Sequence, residues 1–386
     1  MKVLWLTQFP YPKSNIHPAP WLSSLAAELV KKDIKLTILS YYSHLEKDEY
    51  YEKNGIEFIF LKVPTSKVDL LTLFKLRIKK ISSFVKNNYA KYDLIHVHGS
   101  ESQLESAILN IPIPSILSMQ GVIFEYYKNL PASFPWKTKI LWKLASIYEK
   151  KNLRKINNFM CRTHWDKRVV RDQNSSATIY ENWEMLRPEF FEEIQFSDPG
   201  YILFMGGTNV VKGIEEALLA FNHIKNKVPL KLLILGSGSR SSIDHIIKNK
   251  KLTIQETDYE FGGAQDANGI KKAFAKSFCL LHPSYIDNSP NSICEAQLAG
   301  FPVIVTNVGG VSSLIENNKT GILVSMSVDK MIEAVLSLYK NKELHKSISK
   351  SGKILARERH SPETIVDKTI SIYKKLVEEY PDQKNI

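Results

Sequence analysis

His282-Pro283-Ser284-Tyr285-Ile286-Asp287-Asn288-Ser289-Pro290-Asn291-Ser292-Ile293-Cys294-Glu295-Ala296 is the densest run of polar chemistry in the chain. It follows an apolar stretch, residues 278–281, that reads as a buried strand. Ser289 is a favourable N-cap and Pro290 suits a first helical position, so a helix is expected from Pro290. Asp287 then lies in the loop before that helix, and Glu295 on it, more than a turn in. A helix start offers unpaired amides and the positive end of a dipole, which suits a diphosphate. One carboxylate beside it can hold sugar hydroxyls, and the other can accept the two hydroxyls of a ribose. The competing readings are a plain loop acid for Asp287 and a solvated helix acid for Glu295.

A strand, a polar loop and a helix form half of a parallel α/β unit, and the rest of the chain repeats that alternation. In the first half, residues 3–7, 34–39, 56–63, 94–97 and 115–118 read as strands, and 20–32 as an amphipathic helix with Leu22, Leu25, Leu29 and Val30 at helical spacing. The pattern restarts near residue 200, with strands at 201–205, 231–235, 278–281 and 303–306 and a helix at 214–224. Alternating strands and helices predict parallel sheets covered on both faces. The fold expected is α/β, with two Rossmann-like, doubly wound domains facing across a cleft. The acidic stretch 192–200, ending Asp198-Pro199-Gly200, reads as the linker. The domains expected are therefore residues 1–193 and 194–365, followed by a C-terminal helix in 366–386 that packs back toward the N-terminal domain.

In doubly wound sheets ligands bind beyond the carboxyl ends of the strands, and the remaining motifs sit there. Phe204-Met205-Gly206-Gly207-Thr208-Asn209-Val210-Val211-Lys212-Gly213 follows a strand. Its two glycines permit close approach of backbone to a ligand, and Lys212 can meet a phosphate as a point charge. Gly236-Ser237-Gly238 follows the next strand; it lacks the third glycine of a dinucleotide fingerprint, and a simple tight turn is the competing reading.

With 386 residues, 44% of them apolar, the chain is long enough for two cores. Three cysteines without framework spacing argue against secretion and against a zinc site, and no metal cluster is legible. The opening Met1-Lys2-Val3-Leu4-Trp5-Leu6-Thr7 runs into Pro10 and Pro12 and reads as a strand, not a leader. No apolar run reaches the roughly 20 residues of a membrane helix, so a cytoplasmic protein is expected. The formal charge of +12 fits nucleic acid, an anionic membrane face, anionic small molecules, or simply a basic surface. The basic residues are spread over both halves, which speaks against nucleic acid.

These blocks together resemble glycosyltransferase family 4, the retaining enzymes of the GT-B fold. The family signature is two acids with seven residues between them, here Asp287 and Glu295, with Asp where the family more often has Glu. Ala299-Gly300-Phe301-Pro302-Val303-Ile304-Val305, Gly309-Gly310 and Asn317-Asn318-Lys319-Thr320-Gly321-Ile322-Leu323-Val324 match the family pattern as well. The resemblance implies a nucleotide-sugar co-substrate (UDP- or GDP-linked), no other cofactor and no required metal. It makes Lys212 the diphosphate lysine, with the amides from Ser289 to Ser292 beside it. Asp287 falls to the donor sugar and Glu295 to the ribose. Gly206, Gly207, Gly236, Gly238, Asn288, Ser289, Asn291 and Ser292 complete the donor side. The family usually has an arginine five residues before the lysine; here that position is Gly207, and Arg240 is the cation offered in its place.

The first half matches less tightly. Asp93-Leu94-Ile95-His96-Val97-His98-Gly99 is similar to the family's strand ending in His-x-His, and Gln120-Gly121 stands where many members have His-Gly. The resemblance puts His98 and Gln120 with Asp287 and Lys212 among the catalytic groups, near the transferred sugar, although glutamine cannot donate a proton at neutral pH. For His96 and His98 packing is the competing reading. The family's glycine-rich loop after the first strand is replaced by Pro12-Lys13-Ser14-Asn15-Ile16-His17-Pro18-Ala19-Pro20. The blocks Cys161-Arg162-Thr163-His164-Trp165-Asp166-Lys167 and Tyr180-Glu181-Asn182-Trp183-Glu184-Met185-Leu186-Arg187 resemble the bacterial surface-polysaccharide subset, with Arg162 and Arg187 meeting phosphates or bracing the interdomain face.

Two basic amphipathic stretches, 67–91 and 136–154, suit either sheet-covering helices or docking on an anionic leaflet carrying a lipid-linked acceptor. The function expected is transfer of a sugar to a glycan or lipid-linked oligosaccharide in bacterial cell-surface polysaccharide synthesis, at the inner face of the plasma membrane. The alternatives are a sugar-nucleotide epimerase, a phosphorylase requiring pyridoxal, or a non-catalytic GT-B subunit supporting a partner enzyme.

Overall fold

A computed structural model describes residues 1–11 and 20–380. The loop expected to replace the family's glycine-rich turn therefore lies outside the described residues, apart from Pro20. The chain divides into two compact units. The first comprises Met1–Lys128, Pro135–Met185 and Ser361–Ile386; the second comprises Asn129–Phe134 and Leu186–His360. The chain thus passes to the second unit at Leu186, ahead of the linker expected at 192–200. That acidic stretch is anchored within the second unit instead. Glu192 pairs with Lys271, and Glu193 with Lys353 at 2.6 Å.

Among the described residues the first unit holds eight strands: β1 (Lys2–Leu6), β2 (Lys35–Tyr42), β3 (Glu49–Lys53), β4 (Ile56–Lys62), β5 (Leu94–His98), β6 (Ser115–Ser118), β7 (Asn158–Cys161) and β8 (Thr178–Glu181). Their order is β3-β4-β2-β1-β5-β6-β7-β8, parallel except for β3 against β4. That antiparallel pair turns through Asn54 (φ 54) and Gly55 (φ 74), a left-handed two-residue hairpin that an Asn-Gly dipeptide favours. The central strands are near-continuous apolar runs because helices cover both faces; Val3, Leu4, Trp5 and Leu6 are all fully buried.

The C-terminal helix Pro362–Glu378 belongs to this first unit. It buries Ile365, Val366, Thr369, Ile372, Tyr373 and Leu376, the stripe that helical spacing dictates. Trp5 Nε1 donates to the Tyr373 hydroxyl at 3.0 Å, and Asn182 Nδ2 donates to the Ile365 carbonyl at 3.0 Å. Residues far apart in sequence thereby close one core.

The second unit holds six parallel strands: β9 (Tyr201–Phe204), β10 (Lys231–Leu235), β11 (Tyr259–Gly263), β12 (Ser277–His282), β13 (Val303–Thr306) and β14 (Ile322–Val324). Their order is β11-β10-β9-β12-β13-β14. Strand order reverses between β9 and β12, and doubly wound sheets in general bind ligands beyond the carboxyl ends of the strands at such a reversal. In the first unit the same reversal lies between β1 and β5.

Candidate functional site

The loops after β9 and β12 are tied to each other before any ligand is considered. Tyr285 N donates to the Val211 carbonyl at 2.9 Å, and the Ser284 hydroxyl to the same carbonyl at 3.2 Å. This brings Lys212 and Asp287 together: Nζ lies 2.5 Å from Oδ2. His282, at the end of β12, reaches the same carboxylate oxygen with Nε2 at 3.1 Å. Both Asp287 and His282 are buried. Burial alone would raise the Asp287 pKa, but the Lys212 charge and the His282 hydrogen bond outweigh it and hold the carboxyl well below the usual range. Burial pushes the His282 imidazole down, and Asp287 only partly restores it. The sequence reading missed His282, whose signal was a histidine closing an apolar strand directly before proline.

The helix beyond this loop is Asn291–Leu298, with Pro290, not Ser289, at the N-cap position and no side-chain cap. The expected cap at Ser289 is displaced by one residue because Pro290 already has extended backbone (φ −70, ψ 125). Asn291 and Ser292 therefore supply the first amides of the helix, which have no intrahelical acceptor. Asn288 and Ser289 are buried in the loop ahead of it.

Glu295 is neither solvated nor open. Its carboxylate is 2% exposed, and Arg187 grips it in bidentate fashion, at 2.8 and 2.7 Å. Burial raises the Glu295 pKa while Arg187 pulls it back. Arg187 also lies over the Phe190 ring at 4.8 Å. Arg162 likewise pairs inside its own unit, with Glu184 at 3.1 Å.

The glycine pair after β9 packs against protein. Gly207 has φ +56, and a Cβ there would lie 2.1 Å from the Ser237 carbonyl oxygen, so no side chain fits without moving the neighbouring loop. Gly206 sits against Phe204 and Lys212, while Gly236 and Gly238 lie against Gly207 and Thr208 from the loop after β10. Arg240, offered as the substitute cation, lies over the Tyr259 ring at 5.1 Å and points its guanidinium to Glu256.

In the first unit, His98 and Gln120 line one small cavity of about 30 Å³ together with Trp21, Arg162 and Glu184. His98 stacks on His96 with ring centroids 3.8 Å apart. Burial, then His96 and Arg162, hold the His98 imidazole well below its ordinary pKa, so it is neutral at physiological pH. Its Nε2 is buried with no hydrogen-bond partner among the described residues. His96 is a packing residue: Nδ1 meets Tyr373 at 2.6 Å and Nε2 meets Ser118 at 2.7 Å, and burial lowers its pKa to about 3. The sequence reading also missed Glu101. Its carboxylate accepts the Gly121 amide at 2.5 Å and faces a larger cavity of about 600 Å³. Among the described residues no group of three His, Cys, Asp or Glu is arranged to hold a metal, and no helix is long and apolar enough to cross a membrane.

Residues 187–354 match the family described as Glycosyl transferases group 1, and residues 9–163 the family Glycosyl transferase 4-like. An uncharacterized glycosyltransferase of Methanocaldococcus jannaschii is 26% identical over 89% of this chain and 91% of its own. The N-acetyl-alpha-D-glucosaminyl L-malate synthase of Bacillus anthracis is 28% identical over 45% of this chain, and the match spans only 44% of that protein. The capsular polysaccharide biosynthesis glycosyltransferase CapM of Staphylococcus aureus is 27% identical over 53% of this chain and 54% of its own. Among solved structures, sucrose-phosphate synthase from Thermosynechococcus elongatus superposes with a TM-score of 0.79 at 15% identity, over 97% of this chain and 98% of that one. Anabaena HepE, solved with UDP and glucose, gives 0.68 at 14% identity, over 97% and 99%. Two parallel-sheet units, the paired acids after β12, the lysine after β9 and both family matches converge: the chain belongs to the family 4 type of glycosyltransferases, on the GT-B fold.

Proposed function

We propose that the protein is a retaining glycosyltransferase that takes a UDP- or GDP-sugar at the second unit and moves the sugar to a glycan or lipid-linked oligosaccharide bound by the first. The pathway proposed is bacterial cell-surface polysaccharide synthesis, on the cytoplasmic side of the membrane. One observation carries the reading. Lys212 pairs with Asp287 in the loop that leads into helix Asn291–Leu298, at the point where strand order reverses, and this supports a cation, a carboxylate and helix-start amides acting together on one ligand. Lys212 and the Asn291 and Ser292 amides neutralise the diphosphate. Asp287 accepts hydroxyls of the donor sugar, and Glu295, held by Arg187, accepts those of the ribose. Gly206, Gly207, Gly236 and Gly238 form the wall beside the base. The UDP and glucose bound by HepE and the capsule role in the name of CapM support donor class and pathway.

In the transfer, the bond from the anomeric carbon to the diphosphate oxygen breaks. The acceptor oxygen bonds to that carbon on the same face, and its proton passes to the departing diphosphate. The chain contributes position and charge stabilisation rather than a proton donor. Neutral His98 and Gln120 fit that division, because neither delivers a proton at pH 7. Lys212 carries the leaving-group charge on this reading, so turnover persists in EDTA without any cofactor.

The test is a screen of UDP-, GDP- and ADP-sugars for binding and slow hydrolysis, with Glu295→Ala alongside. Binding of one donor, lost in Glu295→Ala, supports the reading. A donor converted to its stereoisomer without acceptor makes the protein an epimerase. No binding of any donor favours a non-catalytic GT-B subunit, the reading that the absence of an arginine at Gly207 would suit.

A further inference from the structure

One part of the first unit is left unused by this chemistry. Residues 66–91 carry seven basic residues and a single acid, Asp69. Asp69 is already taken, because Arg77 Nε donates to it at 2.8 Å. Lys67, Lys75 and Lys79 have no salt-bridge partner among the described residues. Within the same stretch Val68, Leu70, Leu71, Leu73 and Leu76 are exposed, from 36% at Leu70 to 82% at Leu71. Five exposed large apolar side chains in nine positions form a patch, not scattered surface residues.

The corner is built to stay as it is. Helix Ser66–Leu71 ends, Leu73 (φ 50) and Phe74 (φ 65) adopt the left-handed region, and helix Lys75–Asn88 begins. Bulky residues avoid that region, so the surroundings must enforce it. Phe74 N donates to the Asp69 carbonyl at 2.7 Å, and the Phe74 ring meets Tyr148 at 6.2 Å. Arg77 lies under the corner, bonded to Asp69 and to Gln103 at 2.9 Å. The helix beyond packs inward through Ile81 and Val85, as an ordinary sheet-covering helix does. The leucines of the corner point the other way.

The inner side of the same corner is polar. Ser66, Asp69 and Arg77 wall the cavity of about 600 Å³, opposite Gln8, Tyr41 and Glu101 at the carboxyl ends of the sheet. Arg77 is saturated by its own partners, so the cavity offers hydroxyl, amide, carboxylate and ring faces rather than an anion site. That chemistry suits an uncharged saccharide.

We propose that this corner docks the first unit on an anionic bilayer. Leu70, Leu71 and Leu73 enter the boundary between headgroups and acyl chains, and Lys67, Lys75 and Lys79 meet lipid phosphates. The cavity behind then receives the uncharged saccharide head of an acceptor carried in that bilayer. The bilayer contact stands by itself; the occupant of the cavity rests on the glycosyltransferase reading. A protein partner is the weaker match, because nine residues fall short of the roughly 800 Å² per side that a stable interface needs. The lysines around the leucines also call for a surface of negative charge.

Flotation of the whole protein with vesicles of phosphatidylglycerol and phosphatidylethanolamine, against phosphatidylcholine alone, tests this. Wild type is expected to float with the anionic vesicles only, and less so as salt rises. Leu70→Asp/Leu71→Asp and Lys75→Glu/Lys79→Glu should each lower the bound fraction about tenfold or more. Ile354→Asp, an equally drastic change at an exposed apolar residue of the second unit, should not alter it. Donor hydrolysis should be the same in all four proteins, which also shows that each folds. Wild type that never binds anionic vesicles overturns the proposal, as do corner variants that bind like wild type. A wild-type dimer that Leu70→Asp/Leu71→Asp dissociates would show that a second copy covers the corner instead, and overturns it too. If docking depends on Leu71 while no donor is hydrolysed by any variant, the docking surface stands and the glycosyltransferase reading falls.

Discussion

Arg187 holds the carboxylate of Glu295 through two parallel hydrogen bonds, Nε to Oε1 at 2.8 Å and Nη2 to Oε2 at 2.7 Å. Glu295 is almost wholly buried, so the arginine is what makes a charged group tolerable there. Removing one partner of a buried pair leaves the other uncompensated. Arg187→Ala should therefore destabilise the protein by about 3–5 kcal/mol, while Arg187→Ala/Glu295→Ala should cost clearly less than the sum of the two single changes. Urea unfolding of the four proteins measures this. Additive losses would mean that the pair carries no coupling. With Glu295 on the ribose, a folded Arg187→Lys variant should raise the donor KM more than it lowers kcat.

Lys212 stands between a buried carboxylate and the expected diphosphate. Lys212→Met removes the charge that holds Asp287 ionised and the charge that stabilises the leaving group. Donor turnover should fall on the order of 100-fold or more, with donor affinity falling less, as for loss of a group acting mainly in the transition state. Steady-state kinetics with the donor found in the screen decides this. A variant that keeps kcat would remove Lys212 from the leaving-group site.

Restoring the family arginine should harm rather than help. At Gly207 any side chain must adopt a left-handed backbone, at a cost of about 1–2 kcal/mol, and its Cβ would collide with the Ser237 carbonyl. Gly207→Arg should lower the melting temperature and weaken donor binding. A variant as stable as wild type with tighter donor binding would show that the loop after β10 yields readily.

Two buried acids, Glu105 and Glu149, sit together under the first unit's carboxyl-end loops. Burial, reinforced by neighbouring carboxylates, raises the Glu105 pKa to about 8 and the Glu149 pKa to about 7. Asn152 donates to Glu105 at 2.7 Å, and Ser100 to Glu149 at 2.5 Å. In the unfolded chain such acids titrate near pH 4.3. Between that pH and about 8 the folded state binds more protons than the unfolded state, so stability must fall as pH rises through this window and level off above it. Thermal melts from pH 5 to 9 should show that decline. Glu105→Gln and Glu149→Gln should flatten it; unchanged slopes would mean that the acids are ionised in the fold.

Much of this architecture was legible in local sequence. Apolar runs of strand length separated by 3.6-residue periodicity determined two parallel sheets, because buried parallel strands have no solvent face to alternate with. The spacing of Asp287 and Glu295 around a strand–loop–helix junction, and Lys212 after an earlier strand, marked the carboxyl-end loops, because such junctions are built from residues adjacent in sequence. The hairpin at Asn54-Gly55 was equally local, and its dipeptide signal went unread. Only the tertiary structure decided who meets whom. Arg187 and Glu295 are 108 residues apart, Lys212 and Asp287 are 75 apart, and Trp5 and Tyr373 are 368 apart. No periodicity encodes those pairings; the order of strands in each sheet does. Burial is likewise a tertiary property. It put Glu295, for which a solvated helix acid was the competing reading, into a desolvated pair, silenced the charge of His98, and left Leu71 outside while Val85 went in.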